Sequence, residues 1–258
     1  MTQERTLEST VDTVLGGRVT IFQPRGGHRA GTDSALLAAC VPPDFDGRAY
    51  DLGSGAGSVG LSVASQAPRS RVTLVEIDPE MAALAASGVE ANGLGDRVRV
   101  VQADLLARGR SRHPVLGAEG AELVVTNPPF HIEGTVRNAA TPLRRQAHTL
   151  SEADETGWIE AAVRLLRPRG ILLMIHRADA LPRLLAALEG RVGDIRLKPV
   201  HPRAGSAATR LLVRALKASR SPLTLLPPLI LHEDGGGFTR EADALHKGIA
   251  GVDWRLGG

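Results

Sequence analysis

The sequence predicts an α/β fold, with a doubly wound, mostly parallel seven-stranded sheet that has an antiparallel carboxyl-terminal edge. Three observations lead to this prediction. Short apolar runs alternate with helical patterns in the middle of the chain, which is typical of a parallel sheet covered on both faces. Two further apolar runs in the last third can pair as an antiparallel edge. The 258 residues, 43% of them hydrophobic, are enough for one substantial core.

The predicted elements follow one another in a regular order. Seven strands are expected, at 48–52, 72–76, 98–103, 123–126, 170–176, 195–200 and 211–216. Helices are expected at 58–66, 79–92, 151–166 and 178–188. Pro79 suits the first turn of the second helix, and the acidic residues after Ser151 suit the first turn of the third. The proline-broken apolar segment 225–229 predicts an extended packing strap, 113–120 a surface loop, and 235–237 a flexible turn.

A glycine-rich segment follows the first predicted strand, at the turn into the first helix. Its sequence is Asp51-Leu52-Gly53-Ser54-Gly55-Ala56-Gly57. Glycines at such a turn let the backbone bend sharply and approach a ligand closely. The dinucleotide pattern G-x-G-x-x-G is also satisfied, from Gly55 to Gly60, and Glu76 lies about twenty residues further on, as that pattern requires. The segment therefore predicts a cofactor that contains adenosine, with Glu76 on the hydroxyls of its ribose.

Two acidic residues favour one such cofactor over another. Asp51 lies just before the first glycine, where its carboxylate would repel a pyrophosphate and attract an ammonium or a sulfonium. Asp104 follows the third strand and is placed to accept a hydrogen bond from an adenine amine. S-adenosylmethionine is cationic and has no phosphate, so it fits this acidic rim better than a nicotinamide dinucleotide. The alternative is that Asp51 and Asp104 only cap the helices that follow them.

The sequence Asn127-Pro128-Pro129-Phe130 directly follows the fourth predicted strand. Two prolines cannot continue a parallel ladder, so the strand ends in a stiff corner at the sheet edge where ligands bind. Hydrogen bonds from an exocyclic amine to the Asn127 side-chain oxygen and the Pro128 carbonyl would favour a pyramidal, nucleophilic nitrogen. Stacking on Phe130 would hold the ring of the base. The corner predicts methyl transfer to a planar amine, without a metal; the alternatives are a plain strand end and a core phenylalanine.

With these motifs in this order, the chain resembles the class I S-adenosylmethionine-dependent methyltransferases, which have a Rossmann-like fold. The residues that carry this resemblance are 51–57, 75–78, 103–104 and 127–130. More narrowly, the chain resembles the bacterial tRNA(Val) adenine-N6 methyltransferase group in segments 22–24, 28–37, 145–148, 176–179, 200–203 and 227–229. One departure concerns the corner: that group often has tyrosine at its last position, whereas this chain has Phe130 followed by His131. The same variant occurs in ribosomal RNA guanine methyltransferases.

The resemblance implies a single methyltransferase domain over residues 1–258. Residues 1–46 are expected to form an amino-terminal element that closes over the cofactor or the substrate, and 47–258 the catalytic core. The cofactor contacts that it implies, together with the motif residues above, are Arg29, Thr32, Asp33, Asp51, Gly53, Gly55, Gly57, Glu76, Asp78, Asp104 and Asn127. The implied reaction is N6 methylation of an adenine in tRNA, near the anticodon.

Basic residues cluster just after the corner, where a polynucleotide would pass. The segment 131–149 contains one acidic residue, and its candidate RNA contacts are Arg137, Arg144, Arg145 and His148. A base inside a helix could not reach the corner, so the expected substrate is an unpaired or flipped nucleotide. A second basic run, at 196–220, has seven Lys or Arg and no acidic residue. Either run is a phosphate-contacting surface or an ordinary solvated face.

Other features narrow the class of protein. No apolar run approaches the roughly 18 residues of a membrane span, and the first twenty residues do not resemble a secretory signal. Cys40 is the only cysteine, so the chain has neither an intrachain disulfide nor a cysteine metal site. A cytoplasmic location is expected. The sequence leaves open a guanine in ribosomal RNA or a protein glutamine amide as acceptor, a nicotinamide-dependent oxidoreductase, and a cofactor-binding scaffold without turnover.

Overall fold

The computed structural model describes residues 8–25, 31–107, 113–116, 120–129 and 151–255. Eleven strands occur in these residues: β1 (Ser9–Val14), β2 (Val19–Pro24), β3 (Gly47–Leu52), β4 (Ser70–Glu76), β5 (Val98–Gln102), β6 (Ala121–Thr126), β7 (Leu166–Arg177), β8 (Val192–Arg203), β9 (Arg210–Lys217), β10 (Thr224–Leu225) and β11 (Leu229–His232). The α-helices of the described residues are α1 (Thr32–Ala39), α2 (Ser58–Gln66), α3 (Pro79–Ala91), α4 (Glu152–Leu165), α5 (Leu181–Leu188) and α6 (Arg240–His246).

The main sheet has the predicted architecture. Its strand order is β10-β8-β9-β7-β6-β3-β4-β5, with β11 also paired to β8. Strands β7, β6, β3, β4 and β5 are parallel, and β9 runs antiparallel between β7 and β8. The α/β prediction with an antiparallel carboxyl-terminal edge is therefore confirmed, and the seven predicted strands are all present. The predicted strap contributes the two short strands β10 and β11, on either side of its prolines.

Helices cover both faces of the sheet. Side chains of the central strands alternate between two hydrophobic clusters, one on each face, and the helices pack on these clusters. In β3, Ala49 faces one cluster and Tyr50 the other; in β6, Val125 and Val124 divide in the same way. The first cluster includes residues of α1, α2, α3 and α6, and the second includes residues of α4 and α5. Alternating burial on two faces is what the continuous apolar strands require.

An amino-terminal hairpin of β1 and β2, which was not predicted from the sequence, packs on the first of these faces. Its turn needs left-handed backbone at Leu15, Gly16 and Gly17, with φ values of 55°, 66° and 88°. The Asn92 side chain, at the end of α3, accepts a hydrogen bond from the Thr20 amide (2.9 Å) and donates one to the Thr20 carbonyl (2.7 Å). This two-point contact fixes the hairpin to α3.

Two smaller findings complete the fold. Pro114–Leu116 form a 3-10 turn with Leu116 fully buried, so this part of the predicted surface loop belongs to the core. The described residues contain no helix with the length and apolar character needed to cross a bilayer.

Candidate active site

The candidate site lies where the strand order reverses. The chain runs outward from β3 to β4 and β5, then returns to the other side of β3 as β6. Leu52, at the end of β3, pairs with Val75 on one side and with Thr126 on the other. The glycine loop, defined here as residues 53–57, and the corner that begins at Asn127 therefore start at the same level of the sheet. Such a switch point at the carboxyl ends of parallel strands is where open α/β sheets bind ligands.

The glycine loop has the conformation that its sequence predicts. Gly53, Gly55 and Gly57 have φ values of 68°, 54° and 84°, which side chains other than that of glycine rarely adopt. The amides of Gly53 and Ser54 both donate to the Val75 carbonyl, at 2.9 and 3.0 Å. The loop is thus fixed to β4. The Ser54 hydroxyl is buried and has no hydrogen-bond partner, which is unusual for a buried polar group and leaves it available to a ligand.

Asp51 lies beneath the loop with only 2% of its surface exposed. Its carboxylate accepts a hydrogen bond from the Gly60 amide at 2.8 Å, in the first turn of α2. This amide belongs to the helix end that would bind the pyrophosphate of a dinucleotide, and here a carboxylate of the protein already occupies it. Burial raises the pKa of Asp51 to about 7; the bond from Gly60 opposes this rise, and the Glu76 carboxylate adds to it.

Glu76 connects the end of β4 to the glycine loop. One carboxylate oxygen accepts from the Gly55 amide at 2.7 Å, and the other accepts from the amides of Ile77 and Asp78 at 2.8 and 2.9 Å. Burial raises the pKa of this carboxyl, although the three amides oppose the rise. Because a carboxylate offers about four acceptor positions, the oxygen bound to Gly55 keeps one for a ribose hydroxyl.

The other acidic residues of the predicted site occupy the same edge. Asp78 caps α3 by accepting from the amides of Glu80 (2.8 Å) and Met81 (3.2 Å). Asp104 is exposed and accepts from the Leu106 amide at 2.8 Å. The Ala103 amide bonds to the Glu76 carbonyl at 2.8 Å, which places Asp104 close to Glu76. Asp78 thus has a capping role in addition to any contact with a cofactor.

Asn127, Pro128 and Pro129 form the described part of the corner. Pro128 is buried, and the Asn127 side-chain oxygen is buried without a hydrogen-bond partner. An unpaired amide oxygen in this position costs about 1–3 kcal/mol unless a ligand satisfies it. The structure therefore presents a free acceptor at the switch point, beside the glycine loop.

The remaining predicted site residues lie either in α1 or outside the described residues. Thr32 and Asp33 begin α1, and Asp33 forms an ion pair with Arg210 of β9 at 2.9 Å. The strand pair Arg177–Arg210 lies at the carboxyl end of β7, so Asp33 is at the same edge of the sheet as the site. The following predicted site residues lie outside the described residues: Arg29, Phe130, Arg137, Arg144, Arg145 and His148.

The structure adds residues that the sequence analysis did not select. Ile77, next to Glu76, is 51% exposed although it is strongly apolar. Trp158 of α4 donates from its indole nitrogen to the Thr126 hydroxyl at 2.9 Å, at the end of β6. An exposed isoleucine after a strand end was visible in the sequence as part of the 75–78 motif. The bond from Trp158 to Thr126 and the burial of the Ser54 hydroxyl depend on tertiary packing, and the sequence carries no local signal for them.

The basic run at 196–220 is mostly occupied by contacts within the protein. Arg196 and Arg214 both pair with Asp194, at 3.0 and 2.8 Å. Lys217 donates to backbone carbonyls of the α4–β7 junction, and Arg210 pairs with Asp33. The run is therefore largely structural, which neither of the two sequence interpretations anticipated. Its linear density of charge reflects two adjacent strands, not one exposed surface.

Comparisons with known proteins agree with this geometry. The model of the methyltransferase small domain family matches residues 27–197. A protein of Porphyromonas gingivalis strain W83, named tRNA1(Val) (adenine(37)-N6)-methyltransferase, is 31% identical over 88% of this chain and 91% of its own length. A relative with the same name from Tolumonas auensis is 31% identical over 64% of this chain and 66% of its own length.

Solved structures that align with this chain are also described as methyltransferases. A structure from Agrobacterium tumefaciens, described as a predicted O-methyltransferase, is 34% identical with a TM-score of 0.71, and the alignment covers 85% of this chain and 98% of that chain. A 16S rRNA N2 G1207 methyltransferase of T. thermophilus, solved with AdoMet and guanosine, is 20% identical with a TM-score of 0.56. That alignment covers 84% of this chain and 52% of the other, and at this identity it shows a shared fold.

Proposed function

The chain belongs to the methyltransferase small domain family, and from that premise we propose that it methylates N6 of an adenine in tRNA. An enzyme of this family is an S-adenosylmethionine-dependent methyltransferase, so the nicotinamide-dependent alternative is excluded. The observation that supports an amine acceptor is the buried, unpartnered Asn127 oxygen at the switch point. It is a hydrogen-bond acceptor without a donor, and the substrate amine supplies that donor.

The residues of the glycine-loop half fit the cofactor. When bound, S-adenosylmethionine supplies a methyl carbon that its sulfonium makes electrophilic. Glu76 retains an acceptor position for ribose, and Asp104 is exposed beside it for the adenine amine. Ile77 offers exposed apolar surface for one face of the adenine. The Ser54 hydroxyl has no partner in the protein and can bind the polar tail of the cofactor.

The corner half binds and orients the acceptor. We define the amine clamp as the Asn127 side-chain oxygen and the Pro128 carbonyl. Each accepts one N–H of the exocyclic amine, which draws the nitrogen out of conjugation with the ring and leaves its lone pair directed away from the clamp. Proline rings fix the backbone, so the two acceptors are preorganised and need little reorganisation during the reaction. Phe130 remains the proposed stacking surface for the base.

The choice of tRNA adenine is supported by the names of the relatives, which include this substrate and position at 31% identity over nearly the whole chain. The basic residues predicted after the corner, Arg137, Arg144, Arg145 and His148, are the proposed contacts to the RNA backbone. A cytoplasmic location follows from this substrate and stays part of the proposal.

Replacement of Asn127 by alanine tests the proposal. We expect Asn127→Ala to lower methyl transfer to tRNA by at least about 100-fold, because half of the amine clamp is lost. Affinity for S-adenosylhomocysteine, measured by calorimetry, should change by less than about threefold, since the glycine loop is intact. The assay uses a tritiated methyl donor with total RNA, and separately with total protein, from a strain that lacks the gene, followed by mass spectrometry of the nucleosides.

The product identifies the acceptor in the same experiment. N6-methyladenosine is expected. N2-methylguanosine, or label in protein instead of RNA, would keep the amine clamp and reject the adenine. Wild-type turnover by Asn127→Ala would reject the clamp.

A further inference from the structure

We propose that Trp158 is a positioning residue that holds the glycine loop and the amine clamp in register. This inference rests on the proposed function, because it assigns Trp158 a role in that same site. Trp158 lies on α4, outside all the motifs of the predicted site. Two separate contacts connect its side chain to the two halves of the site.

The first contact is with the glycine loop. A Cβ atom built on Gly53 would lie 2.8 Å from two carbon atoms of the six-membered ring of Trp158. The ring therefore rests against the first residue of the loop, and only glycine leaves room for it there. Gly53 also has a φ of 68°, so two independent constraints select glycine. The ring closes the loop on the side of α4.

The second contact is with Thr126, and it begins a chain of two hydrogen bonds whose donors and acceptors are fixed by chemistry. The Trp158 indole N–H donates to the Thr126 hydroxyl at 2.9 Å, and the hydroxyl donates to the Leu52 carbonyl at 2.9 Å. An indole can only donate and a carbonyl can only accept, so the hydroxyl must do one of each. Thr126 has no exposed surface, which keeps water from replacing either partner.

The positions of these partners give the chain its functional meaning. Thr126 immediately precedes Asn127 of the amine clamp, and Leu52 immediately precedes Gly53 of the glycine loop. The hydroxyl therefore joins the two strand ends across the switch point, at the last paired residues of β3 and β6. One side chain, that of Trp158, therefore contacts the first residue of the glycine loop and the residue just before the amine clamp.

Trp158 can act in this way because α4 is itself fixed. Glu155, one turn before it, has a carboxylate oxygen 3.2 Å from Nε2 of His176, at the carboxyl end of β7. Ile159 and Leu165 are fully buried in the second hydrophobic cluster. The start of α4 has a capping box formed by Ser151 and Asp154. These contacts fix α4, and with it the backbone of Trp158, relative to the sheet.

Two conservative variants separate a positioning role from a packing role. Trp158→Phe keeps an aromatic side chain but removes both the N–H and the distal ring carbons that contact Gly53. Thr126→Val keeps the shape and removes only the hydroxyl, so it tests the hydrogen bonds alone. Each should lower kcat for methyl transfer about tenfold, because small displacements of reacting groups cost rate steeply. The dissociation constant for S-adenosylhomocysteine and the KM for tRNA should each change less than about threefold. The double variant should be little slower than either single one, since both break the same chain.

The second tryptophan gives a matched control. Trp254 donates its indole N–H to the Cys40 carbonyl at 3.3 Å, at the end of α1 and outside the site. Trp254→Phe makes the same chemical change as Trp158→Phe and should leave kcat unchanged. Equal kcat values for the two variants would overturn the proposal. So would a loss in Trp158→Phe that disappears when both proteins are assayed well below their unfolding temperatures.

A readout without RNA distinguishes failure of this inference from failure of the proposed function. In the Trp254→Phe protein, Trp158 is the one remaining tryptophan. Its fluorescence should change when S-adenosylhomocysteine saturates the protein, and Thr126→Val in that background should reduce the change. If the wild-type protein methylates no RNA, the proposed substrate is wrong, and this fluorescence response still decides the role of Trp158. Unchanged fluorescence at saturation, confirmed by calorimetry, would overturn the inference.

Discussion

Asp51 combines two properties that a single residue rarely has. It is buried under the cofactor loop, and its carboxylate supplies the partner for an amide in the first turn of α2. At low pH the carboxyl is neutral and buried at little cost. At high pH it is an anion in a desolvated place beside a second carboxyl, that of Glu76, and the folded state is penalised. A cationic ligand above the loop would remove that penalty.

This arrangement predicts that the protein without cofactor loses stability as the pH rises. The folded carboxyl of Asp51 keeps its proton to about pH 7, whereas an unfolded aspartate loses it near pH 4. Between these values the unfolded state binds fewer protons, so the free energy of unfolding falls with pH, by about 2–3 kcal/mol from pH 5 to 8. Glu76, whose pKa is also raised, acts in the same direction. Denaturant unfolding at four pH values measures the slope.

Asp51→Asn should flatten that slope, because an amide does not titrate and can still accept from Gly60. Asp253→Asn is the control: Arg255 holds the pKa of Asp253 down to about 2, so that carboxyl does not titrate in this range. Equal slopes in wild type and Asp51→Asn would contradict the prediction.

Among the elements, the amino-terminal hairpin depends on one side chain of another element. Asn92 bonds both backbone groups of Thr20 and also the Gly88 carbonyl, while Val19 and Ile21 are fully buried. Asn92→Ala leaves two Thr20 groups unpaired and should lower the free energy of unfolding by about 2–3 kcal/mol. Amide exchange of residues 19–24 should become faster than exchange of the main sheet.

Gln66→Ala tests whether this effect is local. The Gln66 side chain, at the end of α2, donates one hydrogen bond to the Ala38 carbonyl of α1. Its loss should cost about 1 kcal/mol and leave exchange in the hairpin unchanged. If Asn92→Ala made amide exchange faster by the same factor throughout the protein, the hairpin would not be an independent element.

Elements with a strong local pattern could be predicted from the sequence, and those that depend on distant partners could not. Helix α2 agrees with its prediction at both ends, and it begins directly after Gly57, whose left-handed backbone marks the turn. Strands β7 and β8 extend beyond their predictions, through Pro168 and Pro202, where local rules suggest a break. The hairpin was missed because four of the six residues of β1 are polar, and because the buried strand of the pair, β2, packs against α3.

The site shows the same division. The glycine loop, Glu76 and the corner at Asn127 have sequence signatures because their backbone conformations require particular residues. Trp158 and Thr126 have ordinary places in a helix and a strand, and only the register of β3 with β6 brings them to the switch point. Contacts such as that of Trp158 with Thr126, which position the site residues without belonging to a motif, are set by the tertiary fold. A single sequence therefore does not reveal them.

At the scale of the whole molecule, several cations of the described residues are paired with carboxylates of the protein. At the amino ends of the strands, opposite the site, Arg48 and Arg167 approach Glu122 at 3.7 and 3.2 Å, and Arg69 pairs with Asp46 at 3.3 Å. The basic run at 196–220 is similarly engaged.

We accordingly expect the RNA backbone to be bound by the segment after the corner and not by the strands of 196–220. Charge reversal at Arg144 and Arg145 should weaken tRNA binding and reduce the slope of log K against log salt by about 1–2, because fewer counterions are released.

The matched control reverses Arg203 and Arg220, which are exposed in the second run. Both double variants change the net charge equally, so long-range attraction falls by the same amount. Filter binding between 50 and 200 mM salt, a range in which such contacts lose much of their affinity, should show the smaller slope only for the first pair. An equal reduction in both would assign binding to overall charge, and no reduction in the first would remove this segment from the interface.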